Sequence, residues 1–297
     1  MIKVDKFKKT LSFGEFDEDG VMDLNANTDF RFCVFSDLHY GYANYNVFSC
    51  TDGIKKLNAI IDDTQSCDFY LNLGDFADNL LDGTDRPYVE LQKALLSRGI
   101  TMYNGDNEPI APLKPIYSVA GNHEIAYMPK SILNPYMPIV DGIGNVFAFS
   151  KNNVAFLGYD AIFSAKTGTD TASDIIQTLQ YTIPDKVLEY VQKQLDAVIT
   201  SKTESIVAFT HVSCKNISES SRSALFSILT SFNIPVVIFE GHAHRENYQV
   251  FTNEKGNKVE VYTLPAVTDY QTYNYYDVTM RNGKVFRINL IEKPLNV

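Results

Sequence analysis

The sequence of 297 residues has no tryptophan, four cysteines and only five histidines. Long apolar runs are missing too: no stretch approaches the roughly 18 consecutive apolar residues of a membrane span, so nothing in it is expected to cross a bilayer. Cys33, Cys50, Cys67 and Cys214 lie far apart and form no C-x-x-C pair, which excludes a disulfide framework and fits a reduced interior. Positive charge is also short, with 26 Lys and Arg against 36 Asp and Glu, a net charge of −10. That balance argues against holding nucleic acid by general phosphate neutralisation, and any anionic partner must meet a locally positive site. The first residues carry scattered lysines without an apolar core or a small-residue cleavage site, so a cytoplasmic location is expected.

With 45% hydrophobic and 21% charged residues, the chain can bury a full core. Short β-branched or aromatic runs alternate with segments of helical period, an α/β pattern. The spacing predicts strands over 30–36, 68–73, 114–119, 204–209 and 235–239, and helices over 51–64, 87–97, 184–200 and 220–231. Segments 145–150 and 154–159 flank Lys151-Asn152-Asn153 as a hairpin. Four more strands are expected over 247–252, 258–264, 275–280 and 284–291, the last two joined by a type I′ turn at Asn282-Gly283. No repeat or linker interrupts the chain, so residues 1–297 read as one domain whose C-terminal strands complete the sheet. Stretches 79–113 and 125–144 read as surface excursions that shape a substrate site.

The histidines are the informative residues. All five stand in polar clusters where predicted strands run out: Ser36-Asp37-Leu38-His39, Gly121-Asn122-His123-Glu124, Thr210-His211 and Gly241-His242-Ala243-His244, joined by Gly74-Asp75. Asp-x-His and His-x-His at an extended strand end aim alternate side chains to one side of the chain, which suits metal ligation. Gly74, Gly121 and Gly241 precede candidate ligands and let the backbone turn sharply. A lone histidine is more often a hydrogen-bonded structural residue, but five of five in such settings point to ligands. The mixed imidazole, carboxylate and amide donors suit Mn, Fe or Zn better than Ca or Mg. The candidates exceed one coordination sphere. Two ions about 3.5–4 Å apart, bridged by one carboxylate, would use them all, in the clamp that serves displacement at phosphorus.

In this order the motifs resemble the calcineurin-like metallophosphoesterase superfamily, over residues 30 to about 245. The resemblance implies an α/β fold of four layers, an α-β-β-α sandwich in which two mixed β-sheets pack face to face between flanking helices. It also implies two metal ions (Mn2+, Fe2+/Fe3+ or Zn2+), with Asp37, His39 and His244 on the first, Asn122, His211 and His242 on the second, and Asp75 bridging. His123 would stay off the metals and serve the leaving oxygen or the phosphoryl charge, while a hydroxide between the ions attacks phosphorus in line. The implied partner is a small phosphorylated substrate; monoester, diester and pyrophosphate remain open, and oligomeric state carries no sequence signal.

Departures from the family's branches narrow the reading. Gly74-Asp75 is not followed by the Asp-Arg-Gly of serine/threonine protein phosphatases, and Asp78 stands where purple acid phosphatases place a Tyr ligand. The acidic chain and Glu124 argue against the double-strand-break nucleases. A non-catalytic metal-binding or scaffold protein on the same fold is the alternative, and the filled ligand positions argue against it. Glu124 orients a ligand or takes a loop hydrogen bond. Tyr40, Tyr42, Asn44 and Tyr45, directly after His39, are candidates for touching substrate. Cys33 reads as a buried structural thiol, and Cys214, three residues after His211, as a possible soft ligand.

Overall fold

The computed structural model describes residues 10–12, 29–41, 52–78, 84–106, 112–128, 130–177, 180–253, 255–267 and 272–295. In chain order its elements begin with β1 (Thr10–Ser12), β2 (Phe30–Phe35), β3 (Tyr40–Gly41), α1 (Gly53–Asp63), β4 (Phe69–Asn72), β5 (Ala77–Asp78), α2 (Arg86–Leu96), β6 (Ile100–Met102) and β7 (Lys114–Ser118). Next come α3 (Asn122–Tyr127), α4 (Lys130–Leu133), β8 (Phe147–Lys151), β9 (Val154–Gly158), β10 (Phe163–Ser164), α5 (Ala172–Gln177), β11 (Tyr181–Thr182) and α6 (Asp185–Val198). The last are β12 (Ser205–Thr210), α7 (Glu219–Ser231), β13 (Val236–Glu240), β14 (Asn247–Thr252), β15 (Lys258–Thr263), β16 (Thr272–Arg281) and β17 (Lys284–Pro294). No helix among the described residues is long and apolar enough to cross a membrane.

Two mixed sheets carry the architecture. The first has seven strands in the order β1-β17-β16-β2-β4-β7-β6, with β2, β4, β7 and β6 parallel. The second has six, β14-β15-β13-β12-β9-β8, with β15, β13, β12 and β9 parallel. The C-terminal strands therefore finish both sheets rather than one: β14 and β15 join the second, β16 and β17 the first. Asn282 and Gly283 both adopt positive φ between the paired ends Arg281 and Lys284, the type I′ turn expected there. Asn152 and Asn153 do the same between β8 and β9.

Side-chain alternation explains why two layers form. Phe30, Phe32 and Val34 of β2 enter the core between the sheets, while Cys33 and Phe35 join Leu57 and Ile60 of α1 on the other face. In the second sheet Val207 and Phe209 point inward, and Ile206 and Ala208 join Val191 and Leu195 of α6 and Leu225 of α7. Strands sandwiched in this way are apolar on both faces, which is why β12 and β13 read as continuous hydrophobic runs. Between the sheets, Phe32 stacks on Phe69 at 5.0 Å, and Phe156 meets the two rings edge-on at 5.5 and 5.3 Å. Each such fully buried ring is worth about 1.5–3 kcal/mol.

The stretch 125–144 is not the surface excursion its sequence suggests. It holds α4 and the second half of α3, and Ile125, Met128, Leu133 and Met137 are buried in the core. Within 79–113, β6 is the edge strand of the first sheet and α2 packs beside it, while 79–83 and 107–111 lie outside the described residues, as do Tyr42, Asn44, Tyr45 and Cys50. What the fold does for function is bring together the carboxyl ends of β2, β4, β7, β12 and β13, where parallel α/β sheets place their ligands.

Candidate metal centre

Short backbone hydrogen bonds lock the strand ends together before any side chain is considered. Asp37 N–H donates to Gly74 O at 3.0 Å, His39 N–H to Asp75 O at 2.8 Å, and Gly241 N–H to His211 O at 3.0 Å. The Asp-x-His and His-x-His motifs are not the extended strand ends expected from sequence. Asp37, His39, Asp75, His242 and His244 all adopt left-handed backbone, with φ of 57°, 47°, 48°, 65° and 53°. Such conformations cost of order 1 kcal/mol each and persist where surrounding structure imposes them. The glycines also divide differently. Gly74 turns with φ 94°, whereas Gly121 is extended. At Gly121 an added Cβ would overlap the Asp75 carboxylate, so close approach is the reason for glycine there.

All eight sequence candidates converge. Asp37 Oδ1 lies 3.1 Å from His244 Nε2, and His39 Nε2 lies 3.4 Å from His244 Nε2. On the other side, Asn122 Oδ1 lies 3.0 Å from His211 Nε2 and 2.8 Å from His242 Nδ1. Asp75 Oδ2 stands between the two sets, 3.6 Å from His39 Nε2 and 3.2 Å from His211 Nε2. Asp37, His39 and His244 form one group able to hold a cation; Asp75, His211 and His242 form another, and His39, Asp75 and His123 a third. Cys214 joins none of them; its thiol is buried and pushed well up by burial and Glu240.

The donor set fits metal ions. His211 Nδ1 lies 2.9 Å from the Leu73 carbonyl, which can only accept, so Nδ1 carries the proton and Nε2 turns a lone pair toward Asp75 and Asn122. Acceptors that face acceptors need a cation or a proton between them. With protons alone, burial disfavours the charged ring, yet the Asp75 and Asp37 carboxylates raise His211 to about 9, while burial and His211 lower His242 to about 4. Burial would likewise raise the Asp37 and Asp75 carboxyls, but the surrounding imidazoles hold both below the usual range.

The calcineurin-like phosphoesterase family profile matches residues 30–246, the span that carries every one of these groups. The chain belongs to this family. Among curated proteins none matches it in sequence. Among solved structures, a dimetal phosphatase from Danio rerio is similar, with 16% identity and a TM-score of 0.61 over 90% of this chain and 99% of that one. The NAD nucleotidase of Haemophilus influenzae is 15% identical, with a TM-score of 0.50 over 90% of this chain and 56% of that one. At these identities the likeness is one of fold.

This calcineurin-like phosphoesterase surrounds its centre with residues that the sequence reading left open or missed. Glu124 is wholly buried, and its carboxylate accepts the N–H groups of Asp75, Ala77 and Gly121 and the Tyr88 hydroxyl. Burial and nearby Asp75 raise its pKa. Ser36 Oγ donates to Asp37 Oδ2 at 2.5 Å. Asn145 Oδ1 accepts Ala120 N–H at 3.0 Å, holding the end of the segment that leads to Asn122. Asp78 Oδ2 lies 3.2 Å from His123 Nδ1 and 3.6 Å from His39 Nδ1; burial opposes its charge, but these rings lower it to about 2. Tyr40, a candidate for substrate, turns its hydroxyl to Glu90 on α2 instead. The signal for Glu124, Asp78 and Ser36 lay in or beside the motifs; Asn145 had none beyond its polarity.

Proposed function

We propose that this calcineurin-like phosphoesterase is a dinuclear metal-dependent hydrolase of small phosphomonoesters or phosphodiesters. Asp37, His39 and His244 would hold one ion, and Asn122, His211 and His242 a second, with Asp75 shared and Mn, Fe or Zn as the fitting metals. The single observation that carries the reading is Asp75 Oδ2, within 3.6 Å of His39 Nε2 and 3.2 Å of His211 Nε2. Bound there, the metals supply charge neutralisation and activation of water.

The remaining chemistry falls to His123. Its backbone N–H donates to Asp75 Oδ1 at 2.9 Å and its Nδ1 faces Asp78, so the ring is held with Nε2 toward the centre, 3.9 Å from Asp75 Oδ2. From there it donates a proton to the leaving oxygen or stabilises phosphoryl charge. The mouth is a cavity of about 280 Å³ lined by Asp75, Asn122, His123, His242, Ala243 and His244, a size that suits a small phosphorylated compound. The reading takes residues 1–297 as one domain, supported by C-terminal strands in both sheets, and sets the protein in the cytoplasm, supported by the buried free thiols of Cys33, Cys67 and Cys214.

The test is hydrolysis of p-nitrophenyl phosphate and bis-p-nitrophenyl phosphate, expected to stop on chelation and return with Mn, Fe or Zn. A protein that binds no transition metal under any loading condition refutes the reading.

A further inference from the structure

A second cavity, of about 350 Å³, adjoins the mouth of the centre and shares Ala243 with it. Its walls are the loops that follow β12 and β13, the same loops that carry His211, His242 and His244. They bring two cations, Lys215 and Arg245, to one hollow in a chain whose net charge is −10, with Glu246 as the single carboxylate among the described residues of the lining. Arg245 directly follows His244 in the chain, and both Arg245 and Lys215 are exposed to solvent.

The hollow has a rigid floor. Buried Glu240 accepts Ser213 Oγ at 2.7 Å, Cys214 N–H at 2.6 Å and Thr263 Oγ1 at 2.7 Å, and Ser213 and Thr263 line the cavity. Those hydroxyls are committed to Glu240, which leaves recognition to the two cations. The loop that bears Lys215 is tied from three directions. Asn216 N–H donates to Ser213 O, Tyr181 N–H donates to Asn216 O, and Arg222 Nη1 donates to Cys214 O at 3.2 Å. On the other wall, Asn247 begins β14 and pairs with Thr263, fixing the backbone just beyond Arg245. Cations on pinned loops are partly preorganised, so an anion has less loop freedom to remove when it binds. Arginine adds a planar fork that matches phosphate oxygens.

We propose that this cavity is a subsite for a second phosphate, and that the preferred substrates carry two adjacent phosphates, as nucleoside diphosphates do. The inference rests on the phosphoesterase reading above. In ADP the terminal phosphoryl group occupies the centre and the neighbouring phosphate meets Lys215 and Arg245. Hydrolysis consumes one water, breaks the terminal P–O bond to the bridging oxygen, and yields AMP and phosphate.

The experiment compares ADP with AMP on Mn-loaded protein, for the wild type and for a variant carrying both Lys215→Ala and Arg245→Ala. The wild type is expected to favour ADP in kcat/KM. The double variant should lose about 10–100-fold on ADP, mainly through KM, and much less on AMP. Lys215→Arg should keep most of the preference, and salt raised to about 0.5 M should raise KM for ADP more than for AMP. A wild type that favours AMP, or a double variant that loses equally on both, overturns the subsite. If neither compound is hydrolysed, the aryl phosphate assay above judges the phosphoesterase reading separately. Calorimetric titration with ADP and AMP then judges the cavity: equal affinities, or ADP affinity unmoved in the double variant, overturn it.

Discussion

The Glu124 carboxylate accepts the backbone N–H of Asp75 at 2.9 Å, across 49 residues of sequence. Its same oxygen accepts Gly121 N–H at 2.7 Å, so one atom ties the end of β4 to the end of β7. The other oxygen takes Ala77 N–H at 2.9 Å and the Tyr88 hydroxyl at 3.0 Å. Asp75 stands between the two groups of candidate ligands, so the position of the centre depends on a buried carboxylate that has no place for a metal of its own.

Glu124→Gln tests that dependence. At least three of its four partners are obligate donors, and an amide presents only one oxygen, so its NH2 must face an N–H group. A buried donor left without an acceptor costs about 1–3 kcal/mol. Thermal unfolding should show a loss of that order in the variant, and metal content should fall with it. An unchanged Tm together with full metal content would show that the clamp is dispensable.

At Gly121 the constraint is space. Gly121→Ala puts a methyl group into the Asp75 carboxylate, and the backbone N of Asp75 sits just behind. Both the carboxylate and the backbone of Asp75 must move, so the variant should lose thermal stability and also lose metal at both groups, measured by elemental analysis after Mn loading. Retention of two ions per chain would mean that the carboxylate has room that the geometry does not show.

What was legible in the sequence follows from the range of each interaction. The apolar run that makes β2 a buried strand, and the Asn282-Gly283 turn, are local and could be read directly. So could the convergence of five histidines, because motif order stands in for strand order in parallel sheets. The left-handed backbone at Asp37, His39, His242 and His244 was not legible, since it is imposed by hydrogen bonds to other strands, as from Asp37 N–H to Gly74 O. The helix at Asn122–Tyr127 was hidden because its short sequence is too brief to show a period, and Ile125 and Met128 looked like loop residues until partners from distant elements buried them. Asn145 supports Ala120 from the bend that leads into β8, a contact that no local pattern encodes.

Asp75→Asn separates a shared ligand from one that serves a single group. The amide keeps the shape but loses the charge and one acceptor, facing His39 Nε2 on one side and His211 Nε2 on the other. Titration with Mn should show both sites weakened together, by more than the roughly 10–100-fold that follows loss of an outer hydrogen-bond partner. Weakening of one site with the other intact would confine Asp75 to one ion.

Asp78 and His123 form the pair whose coupling distinguishes proton chemistry from metal holding. Asp78 Oδ2 lies 3.2 Å from His123 Nδ1 and more loosely, 3.6 Å, from His39 Nδ1. His123→Ala removes the group that serves the leaving oxygen, and kcat should fall by about 10²–10⁴-fold while two ions remain bound. Asp78→Asn releases the ring and should lower kcat less, by about tenfold, with a small loss of metal through His39. If Asp78 acts mainly by orienting His123, the double variant should be scarcely slower than His123→Ala alone, because the orienting contact has nothing left to orient. Independent costs that multiply in the double variant would instead assign Asp78 to His39 and the metal, and loss of metal on His123→Ala would place that ring among the ligands. Elemental analysis beside steady-state kinetics on all four proteins decides between these outcomes.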